Sequence, residues 1–275
     1  MRFPLSRVGG ALDSCASAPR HVRIVLDAHN PPTPRANGIH ARGRVASLWR
    51  YPVKSMLGEQ CESLDVHPRG VVGDRLFAIR ERHGKFGSGK STRRFRQIDG
   101  LFGFRALYDG DVPVIRFPDG QTVRGDHPEI HTALSTTLGQ PVTLAREATI
   151  AHLDAGPIHL LTTASLTWLR AMVPEANADA RRFRPNLVID VPGAMQVERG
   201  WLGKRLCVGE AVQLRVSAMT ERCAMVAFAQ AEVPYDARIL RCITQEAARH
   251  FGVYADVLVS GRITRGDSIT VVDEG

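Results

Sequence analysis

Two arginine–cysteine steps stand close together near the carboxyl end of the sequence. They are Arg222-Cys223 and Arg241-Cys242. A neighbouring cation favours the thiolate, which is the form of cysteine that binds soft metals and attacks electrophiles. Cysteine is also among the most buried residue types, so each step alone is more typical of a core thiol beside a solvated arginine. Other segments must therefore decide whether either thiol faces a site.

Three further segments carry side chains that could bind an anion. Lys54 and Ser55 follow a predicted strand in a turn fixed by a proline, and they offer an ammonium and a hydroxyl. Arg75 follows an acid at the start of the next strand. Arg184 and Asn186 offer a guanidinium fork and an amide before a buried strand, and such a fork suits phosphate or a polar heterocycle. Taken singly, these segments also fit a surface turn, a solvated salt bridge and a loop.

A run of hydroxyl groups stands where a helix is predicted to begin. Thr162, Thr163 and Ser165 lead into apolar residues at helical spacing. The free N–H groups and the dipole of a helix start favour a negative group, and the same residue types also serve as ordinary N-caps. Both roles stay open at this point.

Residues 84–91 satisfy the phosphate-binding pattern G-x-x-x-x-G-K-[ST], with Lys90 and Ser91 at its end. A P-loop opens directly into a helix of an alternating α/β chain, whereas Gly100 and Gly103 follow soon here and the flanking segments are typical of β-hairpins. We therefore expect a glycine-rich basic hairpin, with nucleotide binding as a minor alternative. Its basic residues are Lys85, Lys90, Arg93, Arg94 and Arg96.

The composition excludes several classes of protein. The 275 residues carry 36 lysines and arginines against 28 acids, and the net charge of +8 admits an anionic partner such as a phosphorylated cofactor. Aromatic residues make up 6% and do not alternate with the basic ones, so we expect no nucleic-acid partner. The five cysteines lack C-x-x-C spacing, which predicts reduced thiols in the cytoplasm rather than a disulfide framework or a zinc site. No apolar run is long enough for a membrane span.

The order of elements predicts an α+β, mainly β fold after a flexible extension. Residues 1–42 contain five prolines and one candidate strand at 21–26. Residues 43–147 show short alternating apolar runs, a hairpin turn at Asp119-Gly120 and a helix at 128–138. Residues 148–275 add a strand and a helix around Thr163, a buried strand at 187–191 and a short helix after Cys242. So many short strands predict a barrel-like architecture.

Taken in order, the motifs of the chain resemble those of the MOSC family, named after the carboxyl-terminal domain of molybdenum cofactor sulfurases. The similarity is strongest to its two-part members, such as the mitochondrial amidoxime-reducing component, in which a smaller amino-terminal β-barrel domain precedes the MOSC domain. The motifs are YPVKSM (51–56), G-x-x-GDR (70–75), TTASL (162–166), RFRPN (182–186), E-x-x-W-x-G (198–203), ERC (221–223) and G-R-I-x-x-GD (261–267).

The resemblance implies a molybdenum centre held by the dithiolene of a molybdopterin and by one protein cysteine. In such proteins the cysteine lies in an Arg-Cys step after the FRPN strand, which matches Arg222 and Cys223 and makes Cys242 the weaker candidate for the metal ligand. The implied cofactor contacts carry over to Lys54, Ser55, Arg75, Thr162, Thr163, Ser165, Arg184 and Asn186.

The implied activity is reduction of small N-hydroxylated compounds through molybdenum cycling between its +4 and +6 states. Because no C-x4-C-x2-C spacing for an iron–sulfur cluster is present, the electrons would come from a separate ferredoxin- or flavin-type protein. The family's usual threonines after the Arg-Cys step are replaced by residues 224–227 (AMVA), which leaves the substrate range open. The alternatives are a sulfur carrier with a persulfide on Cys223 or Cys242, and a P-loop nucleotide-binding protein.

Overall fold

The computed structural model describes residues 39–273, which are mainly β-strands. The strands are β1 (Ile39–Arg50), β2 (Glu59–Cys61), β3 (Ser63–His67), β4 (Gly70–Val71), β5 (Phe77–Glu81), β6 (Phe86–Ser88), β7 (Phe95–Gln97), β8 (Arg105–Asp109), β9 (Val112–Arg116), β10 (Thr122–Arg124), β11 (Val142–Arg146), β12 (Ile158–Thr162), β13 (Leu187–Asp190), β14 (Arg205–Val208), β15 (Val212–Glu221), β16 (His250–Val259), β17 (Gly261–Thr264) and β18 (Ser268–Val272). The helices are α1 (Ile130–Leu138), α2 (Thr163–Met172) and α3 (Ala237–Ala247). The predicted α+β, mainly β class is confirmed.

Seven strands close into a barrel in the order β13, β12, β16, β15, β14, β18 and β1. Closure comes from β1, which pairs antiparallel with β18 on one side and with β13 on the other. Alternate residues of the strands point inward, as in β14, where Leu206 and Val208 are buried. The inward residues form an apolar core, because a closed sheet buries one side chain in every two on each strand.

Two neighbouring strands of the barrel are parallel and are connected through a helix. β12 and β13 run parallel, and α2 follows β12 directly. Parallel neighbours need a long connection, which is here supplied by α2 and the residues up to 186. The helix predicted from Thr163 is confirmed, and Thr162 caps it by accepting a hydrogen bond from the Ser165 N–H at 3.1 Å.

A second apolar core lies under smaller sheets formed by residues 77–146. β11, β5, β6 and β7 make one sheet, and β8, β9 and β10 make another. The predicted turn at Asp119-Gly120 joins β9 to β10, with Gly120 at φ 91°, a conformation that favours glycine. The helix predicted at 128–138 begins two residues later, at Ile130, and ends at Gly139 in the left-handed conformation (φ 65°).

The predicted boundary at residue 147 divides the sequence into two parts, but the barrel contains strands from both parts. β1 belongs to the predicted amino-terminal part but closes the barrel made by β12 to β16 and β18. β3 likewise pairs with β17, which lies near the carboxyl end. The strand candidate at 21–26 and the rest of the extension lie outside the described residues.

Two local predictions need correction or removal. The helix expected after Cys242 begins earlier, at Ala237, because the Asp236 side chain caps its first turn, so Arg241 and Cys242 lie inside α3. Residues 84–91 form β6 and a loop that leads to β7, not to a helix. The nucleotide-binding alternative therefore lacks the helix N-terminus that a P-loop requires. None of the helices among residues 39–273 is long and apolar enough to cross a membrane.

Candidate cofactor cleft

A cleft of about 480 Å³ opens where several loops at the edge of the barrel meet. Its wall includes six residues that the sequence predicts as site residues, and they come from four separate parts of the chain. These residues are Lys54, Ser55, Arg75, Arg184, Arg222 and Cys223. Other lining residues are Lys90, Asp154, His159, Met225, Glu221, His250 and Tyr254. The predicted convergence of the YPVKSM, GDR, RFRPN and ERC motifs is thus a feature of the fold.

Three of the cleft residues have backbone conformations that are costly for any residue but glycine. Ser55, Arg75 and Arg184 have φ values of 64°, 49° and 53°. Left-handed conformations cost about 1 kcal/mol or more for such residues and persist where the surroundings impose them. Only six non-glycine residues between 39 and 273 have positive φ, so half of them lie in this cleft. The backbone is bent here to aim a hydroxyl and two guanidiniums at one place.

Lys54 is buried and held at the floor of the cleft. Its Nζ donates to Asp154 Oδ1 at 2.6 Å and to the carbonyl oxygen of His152 at 2.9 Å, and it lies 4.6 Å from the centre of the Phe95 ring. Burial lowers the pKa of Lys54 despite the opposing effect of the Asp154 carboxylate. Burial would raise the pKa of Asp154, but Lys54 and Arg75 together hold it well below its usual range. Asp154 therefore stays ionised and offsets one positive charge.

Arg75 is paired with the acid that precedes it in the chain. Its Nη1 donates to Asp74 Oδ2, and its Nη2 donates to the Arg184 carbonyl oxygen at 3.3 Å. Burial acts to lower the pKa of Arg75, but the Asp74 and Asp154 carboxylates outweigh burial and raise it. Asp74 is itself fully buried and accepts a hydrogen bond from the Tyr51 N–H, so the pair is fixed in place.

Arg184 has a buried N–H group that no other residue of the described chain satisfies. Its guanidinium stacks 4.2 Å from the centre of the Tyr51 ring, and its Nη1 donates to the Met56 carbonyl oxygen at 2.7 Å. Its Nη2 is buried and has no hydrogen-bond partner. Burial, with Arg75 nearby, lowers the pKa of Arg184 to about 10, so it is still charged at neutral pH. A buried charged donor without a partner is costly, which indicates that an acceptor binds here.

Arg222 anchors the segment that bears Cys223. Its Nε donates to the Phe251 carbonyl oxygen at 2.8 Å, and its Nη2 lies 2.6 Å from His159 Nε2. Burial and the Arg222 charge hold the pKa of His159 well below its usual value, so the ring is neutral and its Nε2 accepts the bond. Gly252 makes room for this contact, because a Cβ there would lie 2.7 Å from His159 Nε2.

Cys223 follows β15 at the point where the chain leaves the barrel wall. It is partly buried, caps a short 3-10 turn at residues 224–227 and lines the cleft beside Arg222. Cys242, in contrast, is buried on the inner face of α3 and is not among the residues that line the cleft. Burial raises the pKa of the Cys242 thiol, which disfavours a thiolate there.

The predicted hydroxyl groups of α2 point elsewhere. Thr162 Oγ1 and Ser165 Oγ donate to the fully buried Glu198 carboxyl at 2.7 Å and 2.6 Å. Thr163 Oγ1 donates to Asp190 Oδ1 at 2.9 Å. None of the three lines the cleft: Thr162 and Ser165 are joined to a separate buried carboxyl, and Thr163 to the exposed Asp190. The buried carboxyl belongs to Glu198, the first residue of the E-x-x-W-x-G motif, for which the sequence alone predicts no role.

Asn186 is also turned away from the cleft. Its Oδ1 accepts from the His159 N–H at 3.1 Å, and its Nδ2 donates to the Trp49 carbonyl oxygen at 3.3 Å. The amide thus links β1, β12 and the start of β13 where the barrel closes. It holds the backbone of His159 from behind the cleft wall.

Asp154, His159 and Tyr254 line the cleft without having been predicted from the sequence. His159 sits within an apolar strand and Asp154 in a loop without a motif, so neither carries a local signal. Tyr254 is on β16, and burial raises the pKa of its hydroxyl. The one sequence signal for Tyr254 is the alternation of inward and outward side chains along β16, which places Tyr254 opposite His159 on β12.

The side chains of the cleft fit an anionic cofactor that itself provides most of the ligands to a metal. Six cationic side chains line the cleft against two lining carboxylates, those of Asp154 and Glu221, and the buried Asp74 pairs with Arg75, so the cleft carries an excess of positive charge. No group of three or more His, Cys, Asp or Glu side chains among residues 39–273 could hold a metal. One cysteine beside a cationic cleft suits a soft metal that an anionic dithiolene cofactor already holds, and does not suit a zinc site.

Comparison with known proteins identifies both parts of the chain. A profile described as the MOSC N-terminal beta barrel domain matches residues 42–147, and one described as the MOSC domain matches residues 147–270. The YuaD protein from Bacillus subtilis shares 13% identity over 85% of this chain and 97% of its own, with a TM-score of 0.50, which is a similarity of fold. YiiM from Escherichia coli shares 12% identity over 84% of this chain and 71% of its own, with a TM-score of 0.41. No curated protein matches the chain significantly.

Proposed function

The chain belongs to the MOSC family, and from its cleft we propose that it binds a molybdenum–molybdopterin cofactor and reduces N-hydroxylated nitrogen compounds. The observation that supports this most is the juxtaposition of Cys223 with a buried, unpartnered Arg184 N–H group in one positively charged cleft. MOSC domains are associated with this cofactor in general, while the substrate class and the electron donor are our proposal.

Each cleft residue has a distinct part in holding the cofactor. Cys223 provides the protein's sulfur ligand to the metal. Arg184 and Arg75 donate to the phosphate and the polar ring atoms of the pterin, since guanidinium groups bind such planar and multivalent acceptors well. Lys54 adds a charge from the floor, and the strained Ser55 backbone turns its hydroxyl toward the same ligand.

The bound cofactor supplies two-electron redox chemistry, through which R–NHOH, two electrons and two protons yield R–NH2 and water. The neutral His159 ring keeps Arg222 in place and adds no positive charge next to the substrate. Tyr254 keeps its proton at neutral pH, because burial raises its pKa, and can offer a hydrogen bond to a substrate oxygen. Asp154 stays ionised and is therefore not the proton donor.

The electrons would come from a separate ferredoxin- or flavin-type protein, because the described cysteines are four single thiols without a cluster-binding arrangement. The reaction also needs Cys223 as a reduced thiolate, which fits the reducing cytoplasm. The N-hydroxylated substrate would enter from the open side of the cleft, past Met225 and His250.

Protein produced in a host that makes the cofactor tests the proposal. We expect about one molybdenum per chain by mass spectrometry, and conversion of benzamidoxime to benzamidine with reduced methyl viologen as donor. Metal-free protein from that host would contradict the proposal. If such metal-free protein carries cyanide-labile sulfur on Cys223, the sulfur-carrier alternative is the better account.

A further inference from the structure

Basic side chains without acidic partners are concentrated in one hairpin. Residues 85–96 run from the second strand of the β5–β6 hairpin through the loop to β7, which pairs with β6 in parallel. We call this segment the basic hairpin, and it contains no acid. All five of its cations are exposed, and none forms a salt bridge with any residue between 39 and 273. The five are Lys85, Lys90, Arg93, Arg94 and Arg96.

Several exposed arginines elsewhere form salt bridges. Arg262 pairs with Asp65 at 2.9 Å, Arg238 pairs with Asp236 at 2.8 Å, and Arg124 pairs with Asp126 at 3.1 Å. Exposed arginines without a salt bridge, such as Arg116 and Arg170, also occur on other elements, and Arg80 and Arg82 stand just before the basic hairpin. The basic hairpin differs in density, because five such cations stand within twelve residues, and a concentrated patch of one sign steers an oppositely charged partner.

The basic hairpin lies at the rim of the cofactor cleft. Lys90 lines the cleft, and Phe95 packs beneath the Lys54 ammonium on its floor. Gly89 approaches so close to Met225 that a Cβ there would lie 2.8 Å from the Met225 side chain. Arg94 donates to the Ala151 carbonyl oxygen, which fixes the hairpin against the loop that carries Asp154. A partner bound to the hairpin would therefore stand next to the residues that follow Cys223.

The aromatic residues of the hairpin argue against a nucleic acid as the partner. Proteins that bind single strands present exposed aromatic rings on which bases stack. Phe86 and Phe95 are 9% and 8% exposed and pack inward, which leaves only charged and small polar groups on the surface. Lysines and arginines that stand free around a redox cleft suit the carboxylates of an acidic protein.

We propose that the basic hairpin is the docking surface for an acidic electron-transfer protein, which delivers electrons to the cleft from the side of Lys90. The inference rests on the proposed redox function, because only such a function requires an electron donor at this rim. Two single-electron deliveries, or one two-electron delivery, would match the two electrons that each N-hydroxyl group consumes.

The test is a binding titration of the holoprotein with two acidic probes, a plant-type ferredoxin and a flavodoxin. We expect the Kd to rise about tenfold or more between about 0.02 and 0.2 M ionic strength, because salt screens exposed charges. The double variant Arg93→Glu/Arg96→Glu should weaken binding by about tenfold or more at low salt. Neither residue lines the cleft, so the molybdenum content should stay at the wild-type level.

The matched control is Arg116→Glu/Arg170→Glu, which changes the net charge equally at two exposed, unpaired arginines on β9 and α2. It should alter the Kd by less than about twofold at the same salt. Equal weakening in both double variants, or no binding of either acidic probe, overturns the proposal. Tighter binding of a DNA duplex than of both proteins, lost in the hairpin variant, also overturns it and assigns the hairpin to nucleic acid. Molybdenum analysis of the same samples reports separately on the proposed function.

Discussion

Arg222-Cys223 and Arg241-Cys242 have the same sequence and opposite surroundings. The first step follows β15, where the chain leaves the barrel, and both of its side chains line the cleft. The second step lies inside α3, where neighbouring side chains point about 100° apart. Cys242 is therefore buried, while Arg241 stays exposed. The chemistry available to a dipeptide depends on the element that presents it.

Arg182 and Arg184 repeat this contrast within one motif. All of the Arg182 hydrogen bonds go to backbone carbonyl oxygens, those of Asn177, Val226, Phe228 and Pro234. Arg184 takes a left-handed backbone conformation, turns into the cleft and keeps one N–H group without a partner. The first guanidinium holds the loop after Cys223, and the second is available to a ligand.

The cysteine comparison predicts the largest effect. Cys223→Ala should lower reductase activity by more than about 100-fold. Substituting a residue that only hydrogen-bonds to a metal ligand usually costs less than this. Cys242→Ala should keep activity within about twofold, because its side chain only fills the core around α3. Steady-state assays with reduced methyl viologen measure both variants, with circular dichroism as the check on folding. Equal losses in the two variants would remove the distinction between the thiols.

The arginine comparison predicts a split between stability and cofactor binding. Arg182→Ala leaves buried carbonyl groups without donors and should lower the free energy of unfolding by about 3 kcal/mol. Arg184→Ala should cost about 1 kcal/mol, since it removes one carbonyl contact and also relieves repulsion with Arg75. Urea denaturation measures the first quantity and molybdenum content the second. We expect the content to fall in folded Arg184→Ala, and a normal content there would break the comparison.

Ser165 offers a test of the hydroxyl groups that the structure turns away from the cleft. Ser165→Ala removes hydrogen bonds to the buried Glu198 carboxyl and should lower the free energy of unfolding by about 2 kcal/mol. The molybdenum content of the folded variant should equal that of wild type. A stable variant that has lost its cofactor would return Ser165 to the site.

His159 should give the fold a pH-dependent stability. Its folded-state pKa lies well below the ordinary value, so only the unfolded chain gains a proton as the pH falls below about 6.5. Between pH 7 and 5 this proton should cost the fold about 2 kcal/mol. His159→Gln keeps an acceptor for Arg222 and should lose that part of the slope. Urea denaturation at both pH values measures the slope, and an unchanged slope in His159→Gln would contradict this role of His159.

The fold class and the convergence of four motifs could be predicted because both rest on patterns that the sequence displays directly. Alternating apolar runs specify strands, and the ordered motifs specify the family. The closure of the barrel could not be predicted, since it depends on pairing of β1 with β13 and β18 across more than half of the chain. The sequence leaves open whether Thr162 and Ser165 bind an anion or support the fold, because Glu198, which accepts their hydrogen bonds, is distant in sequence.

Asp154 and His159 escaped prediction for a related reason. A titratable group in a loop or an apolar strand has no local signature, and its role arises only from the charges that the fold brings to it. For Asp154 those charges are Lys54 and Arg75, and for His159 the charge is Arg222. Side-chain chemistry is thus readable from the sequence where a motif carries it, and hidden where tertiary pairing creates it.

X-ray absorption at the molybdenum edge tests the assignment of Cys223 as the metal ligand most directly. The wild-type holoprotein and Cys242→Ala should each show one sulfur neighbour of the metal in addition to the dithiolene pair. Cys223→Ser should either lose the metal or retain it with that one sulfur missing. An unchanged sulfur count in Cys223→Ser, together with a loss in Cys242→Ala, would contradict the account and transfer the site to α3.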